Sequence, residues 1–590
     1  VTITARDFQA TALTPPGTAP QAQASPPTTD VDRIGIVFVH GIGTQQPAET
    51  FLDWSKPIVR LLTAWRDEQS LSPDPVISSQ FAFSAASQPY LELDIPKVGA
   101  HPARRFVITE AWWAAQVRPP SLSDAAGYMF RGFPKILRGI VRSYETRGDV
   151  WSKRLDRDLA AAEADGRDTP AIRELKARGR WRWIDVLDGV QRFVAIVAYV
   201  PALAIGGLFL LLYAPFRLIP IQAIQDAAAL KSVDNFMTTW FGDLPDILDD
   251  PVQAANVRSR LAESIDRLVT QQGCGSIAIV AHSGGAIVSF TTLLDPLYQK
   301  DGAKPFTVQR LITIGEALAL GWRLDATGTA QARGSSDRLT GDLVAARPEL
   351  QWTDVWASYD PAPAGPIEPA PPGVKVPAID SRPVTNRMSI LEDHGAYWEN
   401  DEGFVIPLVR ILDEIRGSAE DSRFFSDSTE RAVRIERRRQ RVGVLALWRW
   451  IVVLGALVPI AGSTLAWALT GGAVAGPAGL GRAVGIWFET VPFHQLVTAP
   501  LAFVSGITEL PTWFEALGQW FVGSLTVALA FLAIGLIGGR FWAGWDERER
   551  AIARREPLAP VHRRDVAVVS AGLAIVVMLA SAWFMLQAWT

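Results

Sequence analysis

A serine can act as an acyl-transfer nucleophile when a tight turn presents its hydroxyl, and one stretch of this chain has the composition for such a turn. Ser276–Phe290 reads SIAIVAHSGGAIVSF: a short apolar run rich in β-branched residues, then Ala-His-Ser-Gly-Gly, then a helix-compatible run. The pattern predicts a buried strand that turns sharply into a helix, a nucleophile elbow with Ser283 at its apex. The backbone of such a turn is strained and closely approached, so its neighbours must be small. Gly284 and Gly285 meet this need on the C-terminal side, while Ala281 stands where the pattern G-x-S-x-G has glycine.

A second buried-strand run, Ile34–Val39, lies in RIGIVFVHGIGTQQP and ends in His40-Gly41-Ile42-Gly43. An acyl-transfer serine needs two backbone N–H donors aimed at the developing oxyanion, and an early strand-to-loop turn is one source of them. With both motifs in this order, the chain from His40 to His394 resembles the α/β-hydrolase superfamily, specifically its lipase and esterase members, whose early loop reads H-G-x. The resemblance implies a doubly wound, mostly parallel α/β sheet. It also implies an oxyanion hole made by the amides of Gly284 and Ile42. His40, Gly41, Gly43, His282 and Gly285 then support the two motifs by shaping loops and packing.

The resemblance also orders the remaining machinery, because this superfamily places its acid and then its histidine after the serine. Of six histidines only His394, His494 and His562 follow Ser283, and the last two lie among C-terminal apolar segments. His394, in the polar loop ILEDHGAYWEN, is therefore the expected general base. The expected acid is Asp360, which closes the strand-like Val355–Tyr359 just before Pro361 and lies 34 residues ahead of His394. Glu316, after the strand-like Leu311–Gly315, is the alternative acid. Asp354 and Asp393 are weaker choices, Asp393 because it adjoins the histidine too closely.

Composition bounds where this chemistry occurs. The 590 residues are 48% hydrophobic, with 22 tryptophans and a formal net charge of −4, so nothing points to nucleic acid. The single cysteine, Cys274, excludes an internal disulfide framework. No spaced Cys/His cluster or Walker-type loop is present, and neither a metal nor a cofactor is expected. Thr14–Asp30, rich in Pro, Thr, Ala and Gln, reads as part of a disordered leader. The expected organisation is a leader over 1–30, hydrolase core over 31–124 and 231–432, a helical insertion over 125–230, and a membrane domain over 433–590.

Three long apolar segments without charge, Trp450–Leu469, Leu517–Gly539 and Val566–Trp589, each have the length of a bilayer-crossing helix, with tryptophans near their ends. Arginines crowd the stretch before the first segment (Arg431 to Arg441) and the loop between the second and third (Arg540 to Arg564). The loop after the first has only Arg482. The positive-inside rule then puts the catalytic domain in the cytoplasm and Thr590 outside, in a plasma membrane of bacterial inner-membrane type. The proline-interrupted stretch Gly485–Leu510 is expected to lie at the outer interface.

Phe193–Phe216 is a fourth uncharged apolar segment, yet Ile42 precedes it and Ser283 follows it. A single crossing would separate the two halves of one site, so a re-entrant or interface-lying hairpin is expected there, with a soluble lid as the alternative. Met129–Tyr144 has the pattern of a basic amphipathic helix suited to an anionic membrane surface. Together these features predict a membrane-anchored serine ester hydrolase acting on membrane lipids or other acyl esters. A transacylase or acyl-thioesterase with the same triad, and a non-catalytic membrane scaffold with an inactive hydrolase fold, are the alternatives.

Overall fold

The computed structural model describes residues 31–43, 45–69, 77–80, 89–117, 170–179, 250–294, 308–318, 346–363, 365–367, 379–389, 392–416, 422–424, 428–469, 512–553 and 563–589, with a few isolated positions besides. The leader over 1–30, the amphipathic segment Met129–Tyr144, the apolar segment Phe193–Phe216 and the stretch Gly485–Leu510 lie outside them. The chain divides into two compact units, Val1–Arg438 and Arg439–Thr590.

The first unit is an α/β structure built on one eight-stranded sheet in the order β2-β3-β4-β1-β5-β6-β7-β8. Its strands are β1 (Asp32–Val39), β2 (Ile77–Gln80), β3 (Tyr90–Ile95), β4 (Arg104–Glu110), β5 (Ser276–His282), β6 (Val308–Ile314), β7 (Gln351–Ala357) and β8 (Asp380–Val384). β1, β4, β5, β6, β7 and β8 run parallel, and β2 and β3 form an antiparallel edge beside β4. All six parallel strands therefore end on the same edge of the sheet. Their outgoing loops meet there, as is general for parallel α/β sheets.

Both faces of the sheet are covered, which is why the central strands read as continuous apolar runs. In β1 the side chains alternate: Val37 and Val39 pack on one face, and Ile34, Ile36 and Phe38 on the other. In β5, Ile277, Ile279 and Ala281 share the first face, with Ala278 and Val280 on the second. The first face carries helices α3 (Pro251–Thr270) and α4 (Gly284–Leu294). The second carries α1 (Glu49–Glu68) and α5 (Ile406–Asp413). Burying one such side chain fully, Phe38 for example, contributes about 1.5–3 kcal/mol.

The strand read from sequence as Val355–Tyr359 starts earlier, at Gln351, and ends at Ala357. Parallel pairing with β6 begins at Arg310↔Gln351, and this draws Gln351, Trp352, Thr353 and Asp354 into the ladder. Asp354 becomes fully buried in mid-strand. It accepts from the Thr313 hydroxyl at 2.9 Å and from the Ile367 amide at 3.3 Å.

The region expected to be a helical insertion, 125–230, contains a short helix, α2 (Pro170–Gly179). The second unit consists of most of α6 (Ser428–Leu469) together with α7 (Thr512–Ala553) and α8 (Arg563–Trp589). Each expected apolar segment lies inside one of these helices, which extend beyond it into charged sequence. Trp448, Val452, Phe531, Val577 and Phe584 form part of their common core. Outward, Leu457, Val458, Leu536, Ile537, Met578 and Leu579 are each at least 48% exposed. Among the described residues one helix, Glu430–Leu465, is long and apolar enough to cross a membrane, with a stretch of mean hydropathy 2.1.

Burial pushes the Asp354 carboxyl up to about 7, against the lowering effect of its hydrogen bonds from Thr313 and Ile367. A folded-state value above the ordinary 3.8 means the folded chain binds the proton more tightly. Stability from this group is thus fully present below about pH 4 and lost as pH rises toward 7. Asp354→Asn removes that loss. Its melting temperature relative to the wild type is expected to rise between pH 4 and pH 7, and a difference that stays flat with pH would contradict the assignment.

Candidate active site

Ser283 is the single residue between β5 and α4, and its backbone is left-handed with φ 54°. For a residue with a Cβ this conformation costs about 1–2 kcal/mol, so the surroundings must impose it. Three backbone hydrogen bonds do so. The Ser283 amide donates to Ile314 O at 3.1 Å, and Ser283 O accepts from the amides of Ala286 at 3.1 Å and Ala317 at 3.2 Å. The turn is thereby tied to both its own helix and the end of β6. Ser283 itself is 7% exposed.

The loop after β1 sits directly against this turn. A Cβ placed on Gly41 would lie 2.7 Å from Ser283 Cβ and 3.2 Å from its Oγ. One placed on Gly284 would lie 2.6 Å from Ile42 Cγ1 and 3.4 Å from the Ile42 backbone nitrogen. A Cβ on Gly285 would collide with the Val39 and His40 carbonyls, so only glycine allows α4 to start so close to β1. The backbone nitrogens of Ile42 and Gly284 thus belong to one small region beside Ser283.

His40, buried in the β1 loop, holds that loop to the end of β4. Its Nε2 accepts from the Trp113 amide at 3.1 Å, so Nδ1 carries the proton and donates to Gly41 O at 2.8 Å. The imidazole stacks on the Trp113 indole with ring centroids 4.6 Å apart. Burial lowers its pKa to about 4, with the Gly41 hydrogen bond opposing, so it stays neutral. Two further ties fix the same loop: Trp112 Nε1 donates to Gln45 O at 2.8 Å, and the Glu110 carboxylate accepts from the amides of Ala48 and Phe51 at the start of α1. Gly43 has φ 139°, the left-handed side that glycine tolerates.

The expected base and acid meet at the ends of neighbouring segments. His394 Nδ1 lies 2.9 Å from Asp360 Oδ1 and 3.0 Å from Oδ2. The Asp360 side chain is fully buried, whereas His394 retains 18% exposure. Burial works to raise the Asp360 carboxyl. The neighbouring His394, with its hydrogen bond, the Ala362 amide at 2.9 Å and the Tyr397 hydroxyl at 2.8 Å together outweigh it and hold the carboxyl below its ordinary range. A neutral His394 donating from Nδ1 carries its lone pair on Nε2, the nitrogen that a general base uses.

His282, next to Ser283, joins the two halves. Its Nε2 donates to His394 O at 2.8 Å, and the two rings lie 4.6 Å apart. Burial lowers its pKa to about 3, with the neighbouring His394 adding to the effect, so this imidazole is a neutral strut. The other carboxylates have different partners. Glu316 accepts from the Leu318 amide, and Asp393 accepts from the amides of Arg387 at 2.7 Å and Ser389 at 3.2 Å.

Two contributors were not evident from sequence. Tyr397 bridges the acid to the sheet by donating to Asp360 and accepting from the Ala357 amide at 2.8 Å. Gly315, with φ 50°, leaves space for the acid, since a Cβ there would lie 2.5 Å from Asp360 Oδ2. Their only sequence signal was position, three residues after the histidine and at the end of a strand-like run. Among the described residues no group of three or more His, Cys, Asp or Glu could hold a metal ion. No protein family, curated protein or solved structure matches the chain.

Gly285→Ala must push α4 away from the Val39 and His40 carbonyls. Overpacking of this kind costs about 1–3 kcal/mol. A lowered melting temperature of the purified protein is the expected outcome, and an unchanged one would show that the helix start has room to relax.

Proposed function

We propose that the protein is a membrane-anchored serine hydrolase of the α/β-hydrolase type, similar to lipases and esterases, that cleaves acyl esters of lipid-like substrates. The observation that carries this reading is Ser283. A non-glycine residue is held in a left-handed turn between a parallel strand and a helix, against a loop that offers a second backbone amide, with an Asp360–His394 pair fixed through His282 beside it.

In this reading the Ser283 hydroxyl attacks the ester carbonyl while His394 Nε2 takes its proton. Asp360 keeps the imidazole in the tautomer with Nδ1–H and stabilises the imidazolium that forms. The amides of Ile42 and Gly284 donate to the oxyanion. The tetrahedral intermediate collapses to an acyl-serine, and His394 returns the proton to the departing alcohol. Water, deprotonated by His394, then releases the acid and regenerates the serine. Splitting one difficult displacement into two lower barriers is the gain from the covalent intermediate.

The proposed substrate class is supported by the second unit. Apolar side chains exposed along its helices suit a bilayer, and three spans with arginine-rich cytoplasmic flanks would hold the enzyme where lipidic esters reside. A reporter fused ahead of Val1 is expected to lie inside and one fused after Thr590 outside. Both on one side would refute the three-span arrangement.

Fluorophosphonate labelling of the detergent-solubilised protein tests the chemistry. The wild type is expected to label, and Ser283→Ala to lose labelling completely. His394→Ala and Asp360→Asn are expected to lower the rate of ester hydrolysis by about 10,000-fold, the aspartate variant through the wrong imidazole tautomer. Folded wild-type protein that does not label at Ser283 would rule out the hydrolase reading.

A further inference from the structure

The helix that leads into the second unit begins by holding the segment that carries His394. Arg434 and Arg438 lie four residues apart on α6, so their side chains share one helix face. Both belong to the α/β unit. Arg438 is 8% exposed; its Nε donates to Thr385 O and its Nη2 to Asn386 O, each at 3.2 Å. Arg434 pairs with the Glu402 carboxylate at 2.7 Å. One helix face thus grips Thr385–Asn386 at the start of the histidine segment and Glu402 at its end.

Within that segment the polar side chains pass the constraint inward. Asn386 Nδ2 donates to Asp393 O at 2.9 Å, the carbonyl of the peptide bond to His394. Asn400 Nδ2 donates to Thr385 O and to Asn386 Oδ1, both at 3.0 Å, and fixes which way the Asn386 amide points. Arg438, Thr385, Asn386, Asn400 and Asp393 form one buried, continuous hydrogen-bond network. A planar guanidinium spans two adjacent carbonyls, a grip that neither an apolar side chain nor a lysine reproduces.

We propose that Arg438 is a positioning residue for the general base: it fixes the Thr385–Asn386 turn from which Asn386 holds the backbone of His394, and so links the base to the helix that continues into the apolar unit. The proposal rests on Ser283 and His394 being nucleophile and base. It assigns to an arginine of the positively charged flank a second task, setting the angle of the imidazole. Displacements of about 1 Å at a reacting group cost on the order of 100-fold in rate, so loosening this network should be read in turnover more than in substrate binding.

The test uses the full chain in detergent micelles, a soluble p-nitrophenyl ester as substrate, and fluorophosphonate titration to count active sites. Arg438→Met and Asn386→Ala are expected to lower kcat per titrated site by about 10- to 100-fold, with KM changed less than about twofold. Arg438→Lys should recover only part of kcat, because its single ammonium cannot span both carbonyls. A kcat per titrated site equal to the wild type in Arg438→Met, whatever its melting temperature, would make Arg438 merely structural and overturn the proposal. If Arg438→Met does not fold, Arg438→Lys and Asn386→Ala decide on the same criterion. Wild-type protein without Ser283-dependent turnover would overturn the hydrolase reading itself and the positioning role with it. Wild-type turnover that the variants leave intact would overturn the positioning role alone.

Discussion

Parallel pairing of β1 with β5, from Ile34↔Ser276 to Val39↔Ala281, sets two loops side by side at one sheet edge, and the rest of the site depends on how closely they can approach. The approach is backbone against backbone. Gly285 lies against the Val39 and His40 carbonyls, Gly41 against Ser283, and Gly284 against Ile42. Side chains at these glycines would separate the loops. The left-handed turn at Ser283 has a conformational cost, offset by hydrogen bonds that bind it to Ile314, Ala286 and Ala317.

Around that contact, buried neutral imidazoles act as rigid connectors. His40 ties the β1 loop to Trp113, and His282 ties the elbow to the backbone of His394. Each is kept uncharged mainly by burial, so its hydrogen bonds do not change near neutral pH. Asp360 is the opposite case. It is equally buried, but the neighbouring histidine and two further donors, the Ala362 amide and the Tyr397 hydroxyl, hold its carboxyl below the ordinary range. Two environments of similar depth therefore give opposite protonation behaviour, and the hydrogen-bond partners decide which.

The second unit obeys a different constraint. Its helices bury Trp448, Phe531, Val577 and Phe584 against one another while leaving leucines, isoleucines and valines outward. Close approach again falls to glycine: a Cβ on Gly455 would lie 2.6 Å from Val577 and 2.8 Å from Phe531. Small residues at helix contacts are the usual means of packing helices whose outer surface is apolar.

Sequence alone located the central strands β1, β5 and β6, the strand-to-helix turn at Ser283 and the three apolar helices, because their signals are local; the edge strands β2, β3 and β8 were not legible in it. A β-branched run, a Ser-Gly-Gly turn and a long uncharged stretch each restrict the chain over a few neighbouring residues. Through the resemblance, the order of residues also pointed to His394 as the expected base and to Asp360 or Glu316 as the expected acid. Tertiary structure sets Asp360 against the His394 imidazole and turns Glu316 to the Leu318 amide. Tertiary structure also recruited Tyr397, His282 and Arg438, whose partners lie 37, 112 and 53 residues away in the chain. A hydrogen bond across such a distance leaves no periodicity or spacing in the sequence. It exists only once the sheet has brought the loops to one edge.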